Sequence, residues 1–262
     1  MVGRRRISMG ISKLIGLKAT VLLLAFYFTR KLGVNLIPVP LLYASLVAYL
    51  VAIASHPAVN LPLLLGKSSD GIFPLWSMII FGPFLFFIRL FVPLRRWKSW
   101  EPPYSEISEG LYVGGWPSSM EHLPPCRPAV IDCTCELPRS SVLPNAYLCV
   151  ATWDTRAPQP SQIESAVRWA CRKRTQNVPV YIHCAFGHGR SVCVMCAVLV
   201  ALGLAEDWTS AERIIQEKRP CIKMNDLHRK SLEEWSRHRL PSKRDGVSVV
   251  SSVILSERKH KA

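Results

Sequence analysis

Acidic residues are nearly absent from the first hundred positions. Asp70 is the only one there, against twelve lysines and arginines. Beyond position 100 the balance changes: residues 101–240 carry 16 basic and 15 acidic side chains, and residues 241–262 carry five and two. The net charge of +15 therefore flanks apolar segments instead of coating a folded face. That excludes a nucleic-acid-binding surface on the folded part and points to a membrane as the neighbour. Cysteine is missing on either side of the stretch from Cys126 to Cys221, and the nine within it are odd in number, so no closed disulfide scaffold is implied. Cys133 with Cys135 and Cys193 with Cys196 are the close pairs, but neither has a second pair at zinc-finger spacing. These cysteines read as small buried apolar residues in a reducing compartment. A nucleotide-binding P-loop is also absent. Gly66-Lys67-Ser68 has the end of that motif, but position 61, where its first glycine belongs, is Leu61.

What the first hundred residues do have is apolar length. Residues 11–28, 36–54 and 72–92 are three runs of the order of the 20 or so residues that cross a hydrocarbon core. The first is interrupted by Lys13 and Lys18, the second has no charge, and the third has Arg89 near its end. Trp76, Trp97, Trp100 and Tyr104 stand near the edges, where amphipathic rings favour the interface. Arg4–Arg6 precede the runs, and Arg95, Arg96 and Lys98 follow them. Positive flanks at both ends favour an even number of spans, which makes the first run interfacial or breaks the rule. Residues 1–100 are thus expected to be a membrane-anchoring region of two or three helices. The chain is expected to be an integral membrane protein with its folded part facing the cytosol. The acid-free, Arg- and Ser-containing N-terminus leaves a mitochondrial membrane as the alternative.

Glu101-Pro102-Pro103 reads as a linker, and residues 101–240 as a separate domain. Strands are expected at 111–113, 129–131, 147–150 and 178–182. Helices are expected from a capping box at Ser161–Glu164 through about Arg174, at 191–202, from a second box at Thr209–Glu212 to Pro220, and at 225–237. In the last of these, Leu227, Leu232 and Trp235 are the expected core contacts. Strands alternating with helices predict an α/β fold with a mostly parallel central sheet flanked by helices. Residues 241–262 read as a basic tail with a short apolar patch at 247–255.

The chemistry concentrates in His183-Cys184-Ala185-Phe186-Gly187-His188-Gly189-Arg190-Ser191, between a buried strand and an apolar helix. Gly187 and Gly189 permit backbone conformations closed to other residues. Successive N–H groups can then curl into an anion-binding nest, and the helix N-terminus adds free N–H groups and the positive end of its dipole. Arg190 can close the nest with a planar two-pronged donor. The same surroundings stabilise a thiolate, which makes Cys184 a nucleophile.

The run His183-Cys184-x5-Arg190-Ser191 resembles the signature of the cysteine-dependent protein tyrosine phosphatase superfamily, and of its dual-specificity branch in particular. "ISEGLYVGGWPSS" and "KRPCIKMN" are similar to that branch's opening strand and its Arg-Pro-x-Ile-x-x-Asn helix ending. The resemblance runs over roughly residues 104–237. It implies that Cys184 attacks phosphorus and that Asp154, about 30 residues earlier, protonates the leaving oxygen. Asp132 is the second choice for that acid. The missing proline in Trp153-Asp154-Thr155 leaves closure of the acid loop open. By the same resemblance Arg190 and the loop N–H groups of Ala185, Phe186, Gly187, His188 and Gly189 hold the phosphate. Ser191 assists departure of the sulfur and His183 fixes the loop. His188 departs from the common pattern and reads either as a substrate contact or as a solvated loop tip. The implied activity is hydrolysis of phosphomonoesters through a cysteinyl-phosphate, with neither cofactor nor metal. Phosphotyrosine, phosphoserine and phosphothreonine proteins are the leading substrates. A phospholipid phosphomonoester, such as phosphatidylglycerophosphate, is the alternative, and an idle phosphate-binding scaffold is the non-enzymatic one.

Overall fold

The structure, a computed structural model, describes residues 10–34, 36–125, 127–142 and 146–239. Arg4–Arg6 and the apolar patch at 247–255 lie outside the described residues. Four helices come first: α1 (Ile11–Lys31), α2 (Pro38–Ala54), α3 (Leu75–Ile80) and α4 (Gly82–Lys98). There follow β1 (Tyr104–Ser108), β2 (Leu111–Gly114), β3 (Ala129–Asp132), β4 (Tyr147–Cys149), α5 (Pro160–Thr175), β5 (Val180–His183), α6 (Arg190–Ala201), α7 (Trp208–Lys218) and α8 (Asp226–Arg239).

The sheet order is β1-β2-β5-β3-β4. Only the β1–β2 pair is antiparallel; β2–β5, β5–β3 and β3–β4 are parallel. The fold is therefore the expected α/β one with a mostly parallel sheet. Strand β1 is the element the sequence hid. Its five residues are short, half polar and at the sheet edge, so they lack the apolar run of a central strand. Gly110, at φ +68°, makes the turn into β2, and its N–H donates to Glu106 Oε1 at 3.0 Å.

Alternation along the strands sends Val113, Ile131 and Ile182 into one core with α5 to α8. Their neighbours Val130 and Tyr181 point the other way, into a smaller cluster with Tyr104, Tyr112 and Tyr147. Helix α6 is buried from Arg190 to Leu199, which accounts for its lack of a polar face. Both expected capping boxes are displaced by one residue pair. Gln159 caps α5, its N–H donating to Gln162 Oε1 at 2.9 Å, and Glu164 instead accepts from the Trp235 indole at 2.9 Å. Asp207 caps α7, accepting from the Ser210 N–H at 2.7 Å, and Glu212 instead pairs with Arg229 at 2.8 Å. Pro160 occupies the first turn of α5, where its missing N–H costs nothing. Of the expected α8 contacts, Leu232 and Trp235 are buried and Leu227 is exposed.

The apolar runs resolve unequally. α1 is long and apolar enough to cross a membrane. α2 is apolar but has 17 residues. The run 72–92 is not one helix: the chain breaks at Phe81, and Pro83 falls in the first turn of α4. Helices α1 and α2 pack together, with Ser45 Oγ donating to the Ala19 carbonyl at 2.9 Å.

These helices share a core with the sheet domain. Ile11, Ile15, Val47, Leu65, Phe81 and Leu85 cluster with Cys135 and Trp153. Lys67, from the segment between α2 and α3, buries its ammonium against Asp132 Oδ2 at 2.7 Å and the Thr134 carbonyl at 2.7 Å. Arg156 donates to the Ser55 carbonyl at 2.8 Å, and Arg96 to the Trp116 carbonyl at 2.6 Å.

Candidate active site

Three parallel strands end together: β2 at Gly114, β3 at Asp132 and β5 at His183. In open α/β sheets ligands bind beyond the carboxyl ends of the strands. Here that edge carries residues 184–189, and α6 starts at Arg190.

The shape of this loop follows from where its carbonyls are held. Ala185 accepts from the Trp116 N–H at 3.1 Å and His188 from the Lys223 N–H at 2.7 Å. Phe186 and Gly187 accept from Arg219 Nη2 at 3.0 Å and Nε at 3.1 Å. A trans peptide sets each N–H opposite the preceding carbonyl. With the carbonyls of 185–188 held by flanking segments, the N–H groups of 186–189 turn to the other side. One of them shows the direction: Gly187 N–H donates to Cys184 Sγ at 3.2 Å. Gly187 sits at φ +76°, and a Cβ there would lie 2.5 Å from the Gly114 carbonyl carbon. A Cβ on Gly189 would lie 2.7 Å from the His228 ring. A side chain at Gly187 would move the loop, and one at Gly189 would displace the His228 ring.

Cys184 is buried, and burial alone pushes its thiol up. The Arg190 charge, the Ser191 hydroxyl and the Ser191 and Phe186 amides outweigh that, and its pKa is lowered below the usual thiol range. Ser191 Oγ lies 3.4 Å from Sγ. His183 is fully buried. Burial holds its pKa below the ordinary value, so its ring is neutral, with Nδ1 at 3.3 Å from the Cys184 carbonyl.

Arg190 is more committed than its place in the loop implies. Its Nη1 and Nη2 grip Glu136 at 3.0 and 2.8 Å, and Nη1 also donates to the Thr152 carbonyl at 2.7 Å. Its Nη2 stands 3.2 Å from Asp154 Oδ1. Buried Nε has no hydrogen-bond partner among the described residues, which leaves it as a guanidinium donor for an incoming oxyanion. Asp154, half exposed, thus faces Arg190 and not Arg156, which is drawn to Ser55.

Asp132 is removed from the choice of acids. It is fully buried between Lys67, the Tyr147 hydroxyl at 2.6 Å and the Thr134 N–H at 2.8 Å. Burial would raise its pKa, but Lys67 dominates the balance and holds it at about 2. His188 is not a free tip: its Nε2 lies 2.6 Å from Glu101 Oε2. Glu101, His188 and Cys221 also bring three ligand-type atoms within 4.8 Å of one another, the arrangement nearest to a metal site among the described residues.

Sequence reasoning missed Glu136 and Arg219. Glu136 lay within reach, because it follows the carboxyl end of a buried strand. Arg219 gave no signal beyond its place in "KRPCIKMN". It is buried and donates to Phe186, Gly187, the Pro102 carbonyl at 3.0 Å and Ser105 Oγ at 3.2 Å. Lysine offers a point charge in place of this planar fork. Arg219→Lys is therefore expected to lower kcat about tenfold or more, the loss of one charge-assisted hydrogen bond. Steady-state kinetics on a small aryl phosphate would check it.

Comparison with known proteins bears on this geometry. Residues 128–238 match the family model described as the dual specificity phosphatase catalytic domain. The matched stretch includes Glu136, Asp154, Cys184, Arg190 and Arg219, and supports a cysteine-based phosphatase. Helices α1 to α4 lie outside it. Among solved structures, human DUSP28 is 16% identical with a TM-score of 0.47, over 53% of this chain and 96% of its own. Tk-PTP in its active form is 23% identical with a TM-score of 0.47, over 53% and 99%. PTPMT1 in complex with PI(5)P is 17% identical with a TM-score of 0.45, over 54% and 99%. A comparison with curated proteins finds no match.

Proposed function

We propose that the chain is a membrane-anchored phosphatase that hydrolyses phosphomonoesters through a cysteinyl-phosphate. The observation that carries this is a buried sulfur of lowered pKa that accepts from Gly187 N–H, in a loop whose amides converge beside the Arg190 guanidinium. α1 supplies the anchor. The described cysteines are free thiols, and Arg95, Arg96 and Lys98 follow the last apolar segment, which supports a cytosolic catalytic part.

The phosphate dianion enters the loop and takes the place of the Asp154 carboxylate at Arg190. Asp154, displaced from Arg190, is then the acid that faces the leaving oxygen. The Cys184 thiolate attacks phosphorus, the ester P–O bond breaks, and the leaving alkoxide takes the Asp154 proton. Water next attacks the cysteinyl-phosphate and gives a proton to Asp154. The S–P bond breaks, inorganic phosphate leaves, and Ser191 donates to the departing thiolate. The loop amides hold the equatorial oxygens in both steps.

Asp154→Asn tests the reading. The rate on an alkyl phosphomonoester is expected to fall by about 10²-fold or more, and the loss on an aryl phosphate with a good leaving group to be smaller. An unchanged rate on the alkyl ester would sink the role assigned to Asp154.

A further inference from the structure

The four N-terminal helices do more than precede the catalytic part. Between α1, α2 and α4 lies a cavity of about 770 Å³, within the roughly 300–1,000 Å³ of ligand sites. The walls that the helices supply are apolar, with Leu14, Leu22, Phe84, Phe87 and Phe91 among them. The remaining wall is Glu136, Asp154, Thr155, Ala185 and Phe186. Those residues belong to the phosphate loop, to the acid loop and to the partner of Arg190. The cavity is therefore continuous with the catalytic site.

Two cations mark its length. Lys18 Nζ stands 4.0 Å from the Phe87 ring centroid, and the Arg95 guanidinium 4.5 Å from that of Phe186. Polar groups that could pair with a peptide backbone are few along these walls, and the lining residues Leu17, Phe86 and Leu90 are exposed, so the cavity opens through an apolar mouth. An occupant needs an apolar body of several carbons, a negative head at the catalytic end, and access from the bilayer.

We propose that the substrate is a membrane phospholipid ending in a phosphomonoester, whose acyl chains lie in this cavity while its phosphate occupies the Cys184 loop. The inference rests on the phosphatase reading above. The loop itself contributes no lysine, and Arg190 is already shared with Glu136. The loop itself therefore holds the one phosphate that is hydrolysed. Chemistry at phosphorus is unchanged: the lipid alcohol leaves with the Asp154 proton.

The test uses the full chain and phosphatidic acids with four-, six- and eight-carbon chains, kept below their aggregation concentrations. An aryl phosphate and a phosphotyrosine peptide are run beside them. We expect kcat/KM to rise about tenfold or more with each two-carbon lengthening, as burial of methylenes predicts. Leu14→Trp, which fills part of the cavity from the α1 wall, is expected to lower the ratio of lipid to aryl-phosphate kcat/KM about tenfold. A flat chain-length series, or a peptide that outperforms every lipid and is indifferent to L14W, would overturn the lipid inference while aryl-phosphate turnover upholds the phosphatase. Absence of all turnover would overturn both.

Discussion

Cys184→Ser is expected to remove turnover, with a loss of at least about 10⁴-fold in kcat. The substitution is nearly isosteric, so the loop should keep its shape. What is lost is ionisation. The surroundings of position 184 bring a thiol below its usual range against the cost of burial, but the same donors cannot bring a serine hydroxyl near neutral pH. The variant should therefore still bind inorganic phosphate, because the amides of 186–189 and Arg190 Nε are untouched. Two further signatures separate this mechanism from simple phosphate binding. Acid quench of the wild type during turnover should trap a phosphorylated cysteine, by mass, on the peptide containing Cys184. The acid limb of wild-type kcat/KM should also lie below the ordinary thiol range, rising with pH as the thiol ionises. Turnover that survives C184S would overturn the proposed chemistry.

That a single loop could be read so far from sequence has a local cause. Its strand, its two glycines, its cysteine and its arginine are all within eleven residues, so the geometry they make is short-range. The same holds for the alternation of strands and helices, and for the apolar-all-round character of α6. What was illegible is long-range. Lys67 and Asp132 are 65 positions apart, and nothing in the run Gly66-Lys67-Ser68 announces a buried ion pair. Arg219 reaches back to Pro102 and forward into the phosphate loop through contacts that no periodicity encodes. Glu101 and His188 meet across 87 positions, which turns an apparently free loop tip into a tether to the segment that follows α4. The capping boxes fail for a different reason. Several Ser, Thr, Asp and Gln residues near each helix start can all accept a first-turn N–H, so the spacing alone does not choose among them. The break at Phe81 shows the limit of counting apolar residues. Length predicts one helix over 72–92, but Gly82-Pro83 restarts the helix there.

Lys67 carries the second large prediction, because it tests whether the helical region and the catalytic part stand as one structure. Its ammonium is almost wholly buried and donates to Asp132 and Thr134. Lys67→Met keeps much of the stem and removes the charge. Asp132 would then be a buried carboxylate held only by Tyr147 and Thr134. Breaking a buried pair in this way costs on the order of 3–5 kcal/mol, and the remaining hydrogen bonds should hold the loss near about 3. Chemical denaturation of the full chain in detergent would measure it. The pH dependence has a definite sign. Asp132 is depressed in the folded state, to about 2, from an ordinary value near 3.8. Its contribution is present above the unfolded value and is lost as pH falls through the folded one. Without Lys67 the folded value rises, so acid unfolding of K67M should begin at a higher pH than in the wild type. Lys67→Met combined with Asp132→Asn removes both charges and should recover part of the loss, because no uncompensated ion remains. A K67M protein as stable as the wild type, with an unmoved acid midpoint, would mean that the segment between α2 and α3 does not hold the sheet domain through this pair.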